Sequence, residues 1–398
     1  MSVPLRRNSS FHALWVGGVT GHLGLEAVDV AYPLLVLAMT GSPGKAGVVA
    51  SALLATVLVV GLPAGHIVDR YDRRRILLLS EGIRAVAAAT IVIAMFFDGL
   101  GFAHLIVVAM LLGAAAPFAG LTRMLLVRAV VAPDQVTAAL TAEEVRINTA
   151  RLAGPPLGGL LYGMKAVLPF LFCAVAFAVS WLTVLFVRAS PAAGSGPAGG
   201  LFEGIATLMR DAKLRVAVLL VTAMCAATGP LVLITAVVLE RQDAPPWTIG
   251  LALSGTAVGG LFGAALVAPL HRRFRPGVVL LAVIGLEVPF IAALALPYGP
   301  WWVGGVLLLG SMGLPATRVL MDVLVFRVVP DEDRGKTMAA VLTLFSVGAL
   351  LGTALTGFLL ENLAPATSVL LLAGLIAAVV GWAATQQSLR RAEWPALV

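Results

Sequence analysis

The sequence is a series of uninterrupted apolar segments of about 20–25 residues, the length that a helix needs to cross the hydrocarbon core of a bilayer. These segments are too long for the strands of a membrane barrel, and they lack the alternation of such strands. Backbone polar groups in lipid must be paired within their own segment. The chain is therefore predicted to span a membrane as helices.

The composition supports this prediction and excludes other classes of protein. The chain of 398 residues is 60% hydrophobic and 12% charged, so it lacks the polar surface of a soluble protein. Its net charge of +7 resides mainly in turns between apolar segments, which argues against a nucleic-acid partner. Cys173 and Cys225 lie inside apolar segments, and we expect neither a disulfide nor a metal site.

We predict an all-α membrane protein with twelve spans in two pseudo-symmetric six-helix bundles. The first six spans are predicted at 11–39, 45–68, 76–97, 102–126, 138–163 and 166–188. The second six are predicted at 214–239, 246–270, 277–297, 301–326, 335–361 and 366–386. This gives an N-terminal bundle over 1–188, a cytoplasmic linker over 189–213 and a C-terminal bundle over 214–398.

The linker has two parts of different composition. Residues 189–200 are rich in Gly, Pro, Ala and Ser, which is typical of a flexible connection. Leu201, Ile205 and Leu208 then recur at helical spacing among charged residues. This pattern fits a short amphipathic helix on the membrane surface, and it equally fits an extension of the seventh span.

The distribution of Lys and Arg predicts the orientation of the chain. Apart from five arginines inside spans, only Lys45, Lys165 and Arg241 lie on the side opposite to the two termini. Cytoplasmic loops of membrane proteins carry the excess of Lys and Arg. Both termini are therefore expected in the cytoplasm, with the protein in a bacterial-type inner membrane.

The turn after the second span, GHIVDRYDRRR, begins at Gly65 and carries an acid among basic residues. Glycine allows neighbouring helices to approach closely, and Asp69 can pair with a nearby arginine or cap a helix. Such a charge cluster can hold one conformation and release it in another. A plain cytoplasmic loop is the simpler explanation, but it requires only the basic residues. The candidate gate residues are Gly65, Asp69, Arg70, Arg73 and Arg74.

The two halves of the sequence resemble each other. A Pro-Asp turn followed by a glycine-bearing apolar helix occurs at 128–161 and again at 327–360. Paired six-helix halves are a transporter layout with the substrate site between them, although a channel or scaffold could also repeat.

These motifs resemble those of the major facilitator superfamily over nearly the whole chain. Asp72 stands where the general loop signature has glycine. With an acid at this position, the loop resembles that of the multidrug, macrolide and siderophore exporter branch. The resemblance implies the twelve-helix facilitator fold and a drug:proton antiporter.

The fifth span contains RLAGPPLGG, which resembles the core of the antiporter motif of that superfamily. Its glycines form a flat face for tight packing, and its prolines remove backbone donors and bend the helix. The resemblance implies export, whereas general packing of small residues is the alternative explanation. The motif residues are Arg151, Gly154, Pro155, Gly158 and Gly159.

Ionisable residues inside spans are the candidates for proton coupling. His22, Glu26 and Asp29 follow one another at i, i+4 and i+7 and therefore share one face of the first span. An ionised carboxylate in hydrocarbon costs at least about 2.5–3.5 kcal/mol unless it faces a partner or water, so such acids often carry protons. A static ion pair is the alternative for the acids, and a packing role is the alternative for His22.

Other charged residues of the spans are possible partners of these acids. Arg123 and Arg318 occupy roughly equivalent positions of the two halves, and Asp322 can pair with Arg318 one turn away. A gate and a substrate contact are equally compatible with them. Glu287 of the ninth span is another isolated acid that could bind a second proton. We assign Glu81 and Arg84 to the charge network around Asp69.

The sequence predicts a secondary active exporter of lipophilic small molecules, with the proton gradient as its driving force and no cofactor. An importer or facilitator of a metabolite, or an exporter of a siderophore or lipid-like compound, is the alternative on the same fold. Sodium could replace the proton. We find no phosphate-binding loop, zinc-protease motif or nucleophile elbow, so we do not expect an enzyme. The expected partners are a lipophilic substrate and membrane lipids, and the expected functional unit is a monomer.

Overall fold

The computed structural model describes residues 5–187, 201–330 and 333–386. Among these residues it contains α-helices and short 3₁₀ turns but no strand. The helices are α1 Ser9–Thr40, α2 Pro43–Arg70, α3 Arg73–Phe96, α4 Phe102–Val130, α5 Val136–Met164, α6 Leu168–Val184, α7 Leu201–Arg210, α8 Ala212–Thr228, α9 Leu231–Glu240, α10 Pro246–Arg273, α11 Pro276–Ala293, α12 Pro300–Ser311, α13 Leu314–Val328, α14 Arg334–Asn362 and α15 Pro365–Thr385.

The predicted twelve-span helical membrane fold is confirmed. In the described ranges, nine stretches are long and apolar enough to cross a bilayer, and Leu168–Val184 and Gly277–Ala293 are shorter apolar helices. The remaining predicted span is the fifth, which corresponds to α5; this helix has 29 residues and contains several charged side chains. Two predicted spans are each broken into two helices. The seventh span consists of α8 and α9, and the tenth span consists of α12 and α13.

The chain packs as two compact units. The N-unit comprises described residues 5–41, 48–187 and 245–251, and the C-unit comprises 42–47, 201–244, 252–330 and 333–386. Each unit thus contains one half of the chain together with a short segment from the other half. The first part of the predicted linker, 189–200, and Asp331 of the second Pro-Asp turn lie outside the described residues.

Helix α1 is the central helix of the N-unit and packs mainly against α5 and α6. Its contact with α6 uses glycines at i, i+4 and i+7. A Cβ atom at Gly17 would meet Ser180, one at Gly21 would meet Phe177, and one at Gly24 would lie 2.8 Å from the Cβ of Ala176. Because lipid supplies no hydrophobic drive between helices, this close backbone approach provides the dispersion contacts that hold α1 and α6 together.

The C-unit has an equivalent contact between α14 and α8. A Cβ atom at Gly348 would overlap the carbonyl oxygen of Thr222, and one at Gly352 would overlap that of Ala226. Small residues therefore allow close helix packing in both halves, as expected from the repeated glycine pattern.

Helix α7 is separate from the seventh span. Asp211 interrupts the chain and caps α8 by accepting hydrogen bonds from the backbone N–H groups of Lys213 and Leu214. Leu208 of α7 is fully buried. The Lys336 ammonium lies 2.8 Å from the Glu203 carboxylate, and its hydrogen bond and charge lower the pKa of Glu203. The extension of the seventh span is thus excluded, while the location of α7 on the membrane surface stays a prediction.

Candidate functional site: the acid stripe of α1

Three ionisable side chains follow α1 on one face, and we call His22, Glu26 and Asp29 the acid stripe. Glu26 is partly buried, with 24% of its side chain exposed. Asp29 is exposed although its neighbours Val28 and Val30 are buried. In the described part of the chain, Asp29 has no ion-pair or hydrogen-bond partner. It is therefore free to exchange a proton wherever water reaches this face.

Among the described residues, Glu26 forms an ion pair with Arg151 of the glycine motif. The Nε atom of Arg151 lies 3.8 Å from Oε1 of Glu26, and 58% of the arginine side chain is exposed. This separation is at the outer limit of an ion pair, and exposed pairs contribute little to stability. Arg151 can therefore leave Glu26 at small cost when the carboxylate gains a proton.

The glycines of the motif bring α5 directly onto the acid stripe. A Cβ atom at Gly154 would overlap the Cβ of Glu26, and one at Gly158 would overlap the backbone of Ala27. The predicted flat packing face is thus present, and its partner is the helix that carries the candidate acids. The motif therefore packs on the turn of α1 that carries Glu26.

The same motif also contacts the first turns of α10 within the N-unit. A Cβ atom at Gly250 would overlap the carbonyl oxygen of Pro155, and one at Gly159 would lie 3.1 Å from the Cα atom of Gly250. A shift of α5 must therefore disturb two helix contacts together.

His22 contacts an arginine instead of the two acids. Its Nδ1 atom lies 3.2 Å from an Nη1 atom of Arg146, which is buried and donates two hydrogen bonds to Glu143. The neutral imidazole can accept this hydrogen bond, whereas an imidazolium beside the guanidinium would be repelled. His22 thus anchors α1 to α5, in agreement with the packing alternative.

Arg123 is not a partner of the acid stripe. Its guanidinium lies 2.6 Å from Oε1 of Glu81 and donates further hydrogen bonds to the hydroxyl of Ser180 and the carbonyl of Leu14. Both charged side chains are more than nine-tenths buried. The assignment of Glu81 to the network around Asp69 is therefore wrong. The pair instead connects α1, α3, α4 and α6.

Arg84 is likewise buried, and its guanidinium carbon lies 5.2 Å from the centre of the Phe177 ring. This cation–π contact replaces the predicted association with Asp69.

The candidate gate loop makes different contacts from those predicted. A Cβ atom added at Gly65 would have no other atom within 4 Å, so this glycine serves no close helix approach in this structure. Asp69 is exposed and, among the described residues, has neither an ion-pair nor a hydrogen-bond partner. Arg74 donates to the carbonyl oxygens of Val184 and Leu185 at the end of α6. Arg74 therefore caps a helix C-terminus, as cations commonly do.

Asp72, which distinguishes this loop from the general signature, is the N-cap of α3 and accepts a hydrogen bond from the backbone N–H of Arg75 at 3.0 Å. We expect Asp72→Ala to lower the free energy of unfolding by about 0.5–2 kcal/mol, because a first-turn N–H loses its acceptor. Asp72→Asn should retain most of the stability, since asparagine caps equally well. Thermal unfolding of the purified protein would measure both, and equal loss in the two variants would contradict the capping role.

The candidate residues of the C-unit do not form the predicted pair. Arg318 of α13 is exposed and Asp322 is partly buried. In the described part of the chain, no ion pair within 4 Å joins them. Their roles as coupling or substrate-cavity residues stay predictions. The described residues also contain no group of three or more His, Cys, Asp or Glu side chains that could hold a metal ion.

Comparisons with known proteins identify the family. Residues 2–397 match the family described as "Transmembrane secretion effector" within the major facilitator superfamily. The multidrug efflux pump Tap of Mycobacterium tuberculosis is 29% identical over 302 residues, covering 68% of this chain and 72% of that protein. The enterobactin exporter EntS of Salmonella typhimurium is 25% identical and covers 92% and 89%.

Solved structures show the same fold. The nucleoside transporter NupG superposes with a TM-score of 0.77 at 13% identity, covering 94% of this chain and 98% of that one. A bacterial homologue of the lysosomal transporter Spinster gives a TM-score of 0.75 at 15% identity, with 99% and 100% covered. The match over nearly the whole sequence shows that this chain belongs to the major facilitator superfamily, in its family of transmembrane secretion effectors.

Proposed function

We propose that the protein exports lipophilic small molecules in exchange for protons by alternating access. The observation that supports this most directly is the acid stripe on the helix against which the glycine motif packs. Within the described ranges, Asp29 has no ion-pair partner and Glu26 is only weakly paired. The protein lies in a bacterial-type inner membrane, and the basic loops support an orientation with both termini in the cytoplasm. The protein needs no cofactor, has no enzymatic activity, and works as a monomer among membrane lipids.

Proton binding would act through charge. While Glu26 is ionised, it attracts Arg151 on the surface of α5. A proton on Glu26 removes this attraction, and a proton on Asp29 removes a charge that is costly away from water. The free-energy difference between the two protonation states can then favour one conformation over the other.

The coupling is tested in inside-out vesicles with an acidic lumen, using the lipophilic fluorescent cation ethidium as the probe. Wild-type protein should accumulate ethidium in the lumen without ATP. Glu26→Gln and Asp29→Asn should each reduce this accumulation by about 5- to 150-fold, the factor that corresponds to typical coupling free energies between two binding sites. The reason is that neither amide can bind and release the transported proton.

A matched control is Glu144→Gln, because Glu144 is an exposed acid of α5 whose carboxylate accepts a hydrogen bond from Asn148 of the same helix. It should transport as well as wild type. Wild-type rates in both acid-stripe variants would disprove the coupling assignment. Accumulation driven by a sodium gradient at equal pH would show that sodium, and not the proton, is the coupling ion.

The similarity to the enterobactin exporter supports a second substrate class, a siderophore. Enterobactin can be added outside the same vesicles as a competitor of ethidium. Competition that depends on the pH gradient would favour this class, and its absence at saturating concentration would favour lipophilic cations.

A further inference from the structure

Among its described residues, the C-unit contains one buried acid that the proposed mechanism does not use. Glu287 of α11 is 5% exposed, and its Oε1 atom has no hydrogen-bond partner. In the described part of the chain, no lysine, arginine or histidine lies within ion-pair distance of it. An ionised carboxylate buried without a partner is strongly destabilising, so the carboxyl group must be neutralised by a bound cation.

Two helix breaks lie beside this acid. Helix α8 ends at Thr228 and α9 begins at Leu231, while α12 ends at Ser311 and α13 begins at Leu314. A cavity with room for about one water molecule is lined by all four of these residues and by Glu287. The cavity is therefore located where two membrane-spanning segments are both interrupted.

Proline leaves one backbone acceptor beside the cavity without its helical donor. Pro315 has no N–H to donate to the carbonyl of Ser311, a residue that lines the cavity. At the other break, Pro230 has no N–H for the carbonyl of Ala226, but that carbonyl packs against Gly352 of α14. In transporters, carbonyl groups at interrupted helices are a common means of holding a coupling cation at membrane depth. Hydroxyl groups of Thr228 and Ser311 add further oxygen acceptors beside the carboxyl group.

No other titratable side chain among the described residues shares the cavity. The elements packed on α11 are α8, α12, α13 and α15. The described parts of α12 and α15 carry no charged residue. The titratable side chains described on the other two helices do not line the cavity; they are Lys213, Arg215 and Cys225 on α8 and Arg318 and Asp322 on α13.

The C-unit also lacks the acids that α1 supplies to the N-unit. Gly348 and Gly352 pack on α8 much as Gly154 and Gly158 pack on α1, so α8 occupies the corresponding place. From Ala212 to Thr228, α8 contains no carboxylate. An acid in the C-unit therefore has to come from a different helix.

We propose that Glu287 and the two helix breaks form a second cation site, located in the C-unit, and that its cation is a proton carried by the carboxyl group. The site does not involve Glu26 or Asp29, so either proposal can fail without the other. It would give the two halves of the transporter one proton-binding centre each.

Infrared spectroscopy of the purified full-length protein tests the proposal, with the proton itself as the probe. A neutral carboxylic acid has a C=O stretching band that an ionised carboxylate lacks. We expect such a band at neutral pH in wild type and in the Glu26→Gln/Asp29→Asn variant, and we expect its loss in Glu287→Gln. A band unchanged by Glu287→Gln would show that Glu287 is ionised and would overturn the proposal.

Two further measurements address the cation and the helix breaks. Replacement of choline by sodium in the buffer, at fixed pH, should leave the carboxylic-acid band unchanged. Disappearance of the band in sodium would identify a sodium site and overturn the assignment to a proton. Pro315→Ala supplies the missing N–H to the Ser311 carbonyl and should shift the Glu287 band. An unshifted band in this variant, which keeps Glu287, would refute the role of the breaks even if Glu287→Gln does not fold.

Discussion

Glu81→Leu is expected to lower the free energy of unfolding by about 3–5 kcal/mol, because it leaves the buried Arg123 guanidinium without its counter-charge. The two side chains are 2% and 7% exposed and lie 2.6 Å apart, so no water can replace the lost carboxylate. Ser180 and the Leu14 carbonyl still accept hydrogen bonds, but neither neutralises the charge. Chemical unfolding of the purified protein, followed by circular dichroism, would measure the loss.

The double variant Glu81→Leu/Arg123→Met should recover most of that stability. Replacement of a complete buried ion pair by apolar side chains is often neutral or stabilising, since neither member of the pair is left buried and charged. Equal instability of the single and double variants would contradict this explanation. The matched exposed pair is Glu203 with Lys336, where Glu203→Gln should leave the unfolding midpoint unchanged within error.

The double variant also tests the predicted coupling role of Arg123. If it folds and still accumulates ethidium against the pH gradient, Arg123 is structural and the stripe on α1 acts without it. If it folds but does not transport, the buried pair takes part in the conformational change. Stability and transport must therefore be measured on the same preparation.

The helical fold and the packing role of the glycine motif could be predicted from the sequence, because both depend on local periodicity. Apolar length alone requires membrane helices. Gly154 and Gly158 are one turn apart, so they must share a face, and the structure shows that this face meets Glu26 and Ala27. Which helix would supply the partner is a non-local fact that spacing cannot give.

The partners of the charged residues were harder to predict for the same reason. Hydrophobic segments reveal the depth of Arg123 in the bilayer but not the direction in which it points. Its partner Glu81 is 42 positions away, on a different helix. Proximity in the sequence favoured Asp322 as the partner of Arg318 and placed Glu81 in the charge network around Asp69, yet neither arrangement is found among the described residues.

The two helix breaks did have a signal in the sequence. Gly229 precedes Pro230, and Gly313 comes shortly before Pro315, which is a pattern that commonly interrupts helices. The continuous hydrophobicity of these spans concealed this signal. Hydropathy shows how long an apolar segment is, but it does not show whether the backbone hydrogen bonds of the helix are continuous. Glu287 gains its significance only through these breaks.

Gly158→Ala should be among the most damaging single-methyl substitutions in the N-unit. The added Cβ would overlap the carbonyl oxygen, carbonyl carbon and Cα atom of Ala27, all of which belong to the backbone and cannot rotate away. Overpacking of this kind costs about 1–3 kcal/mol. The displacement would occur beside Glu26, so we expect a lower unfolding temperature together with loss of ethidium accumulation driven by the pH gradient.

Gly120→Ala is the matched control, because Gly120 is exposed on α4 and has no atom within 4 Å of an added Cβ. Alanine is the better helix former by about 1 kcal/mol, so this variant should be as stable as wild type or more stable, and fully active. Gly352→Ala, which overlaps the Ala226 backbone in the C-unit, should be as unstable as Gly158→Ala. If Gly158→Ala behaved like Gly120→Ala, the contact between α1 and α5 could not be as close as the glycine motif requires, and the acid stripe would lose the support that links proton binding to helix movement.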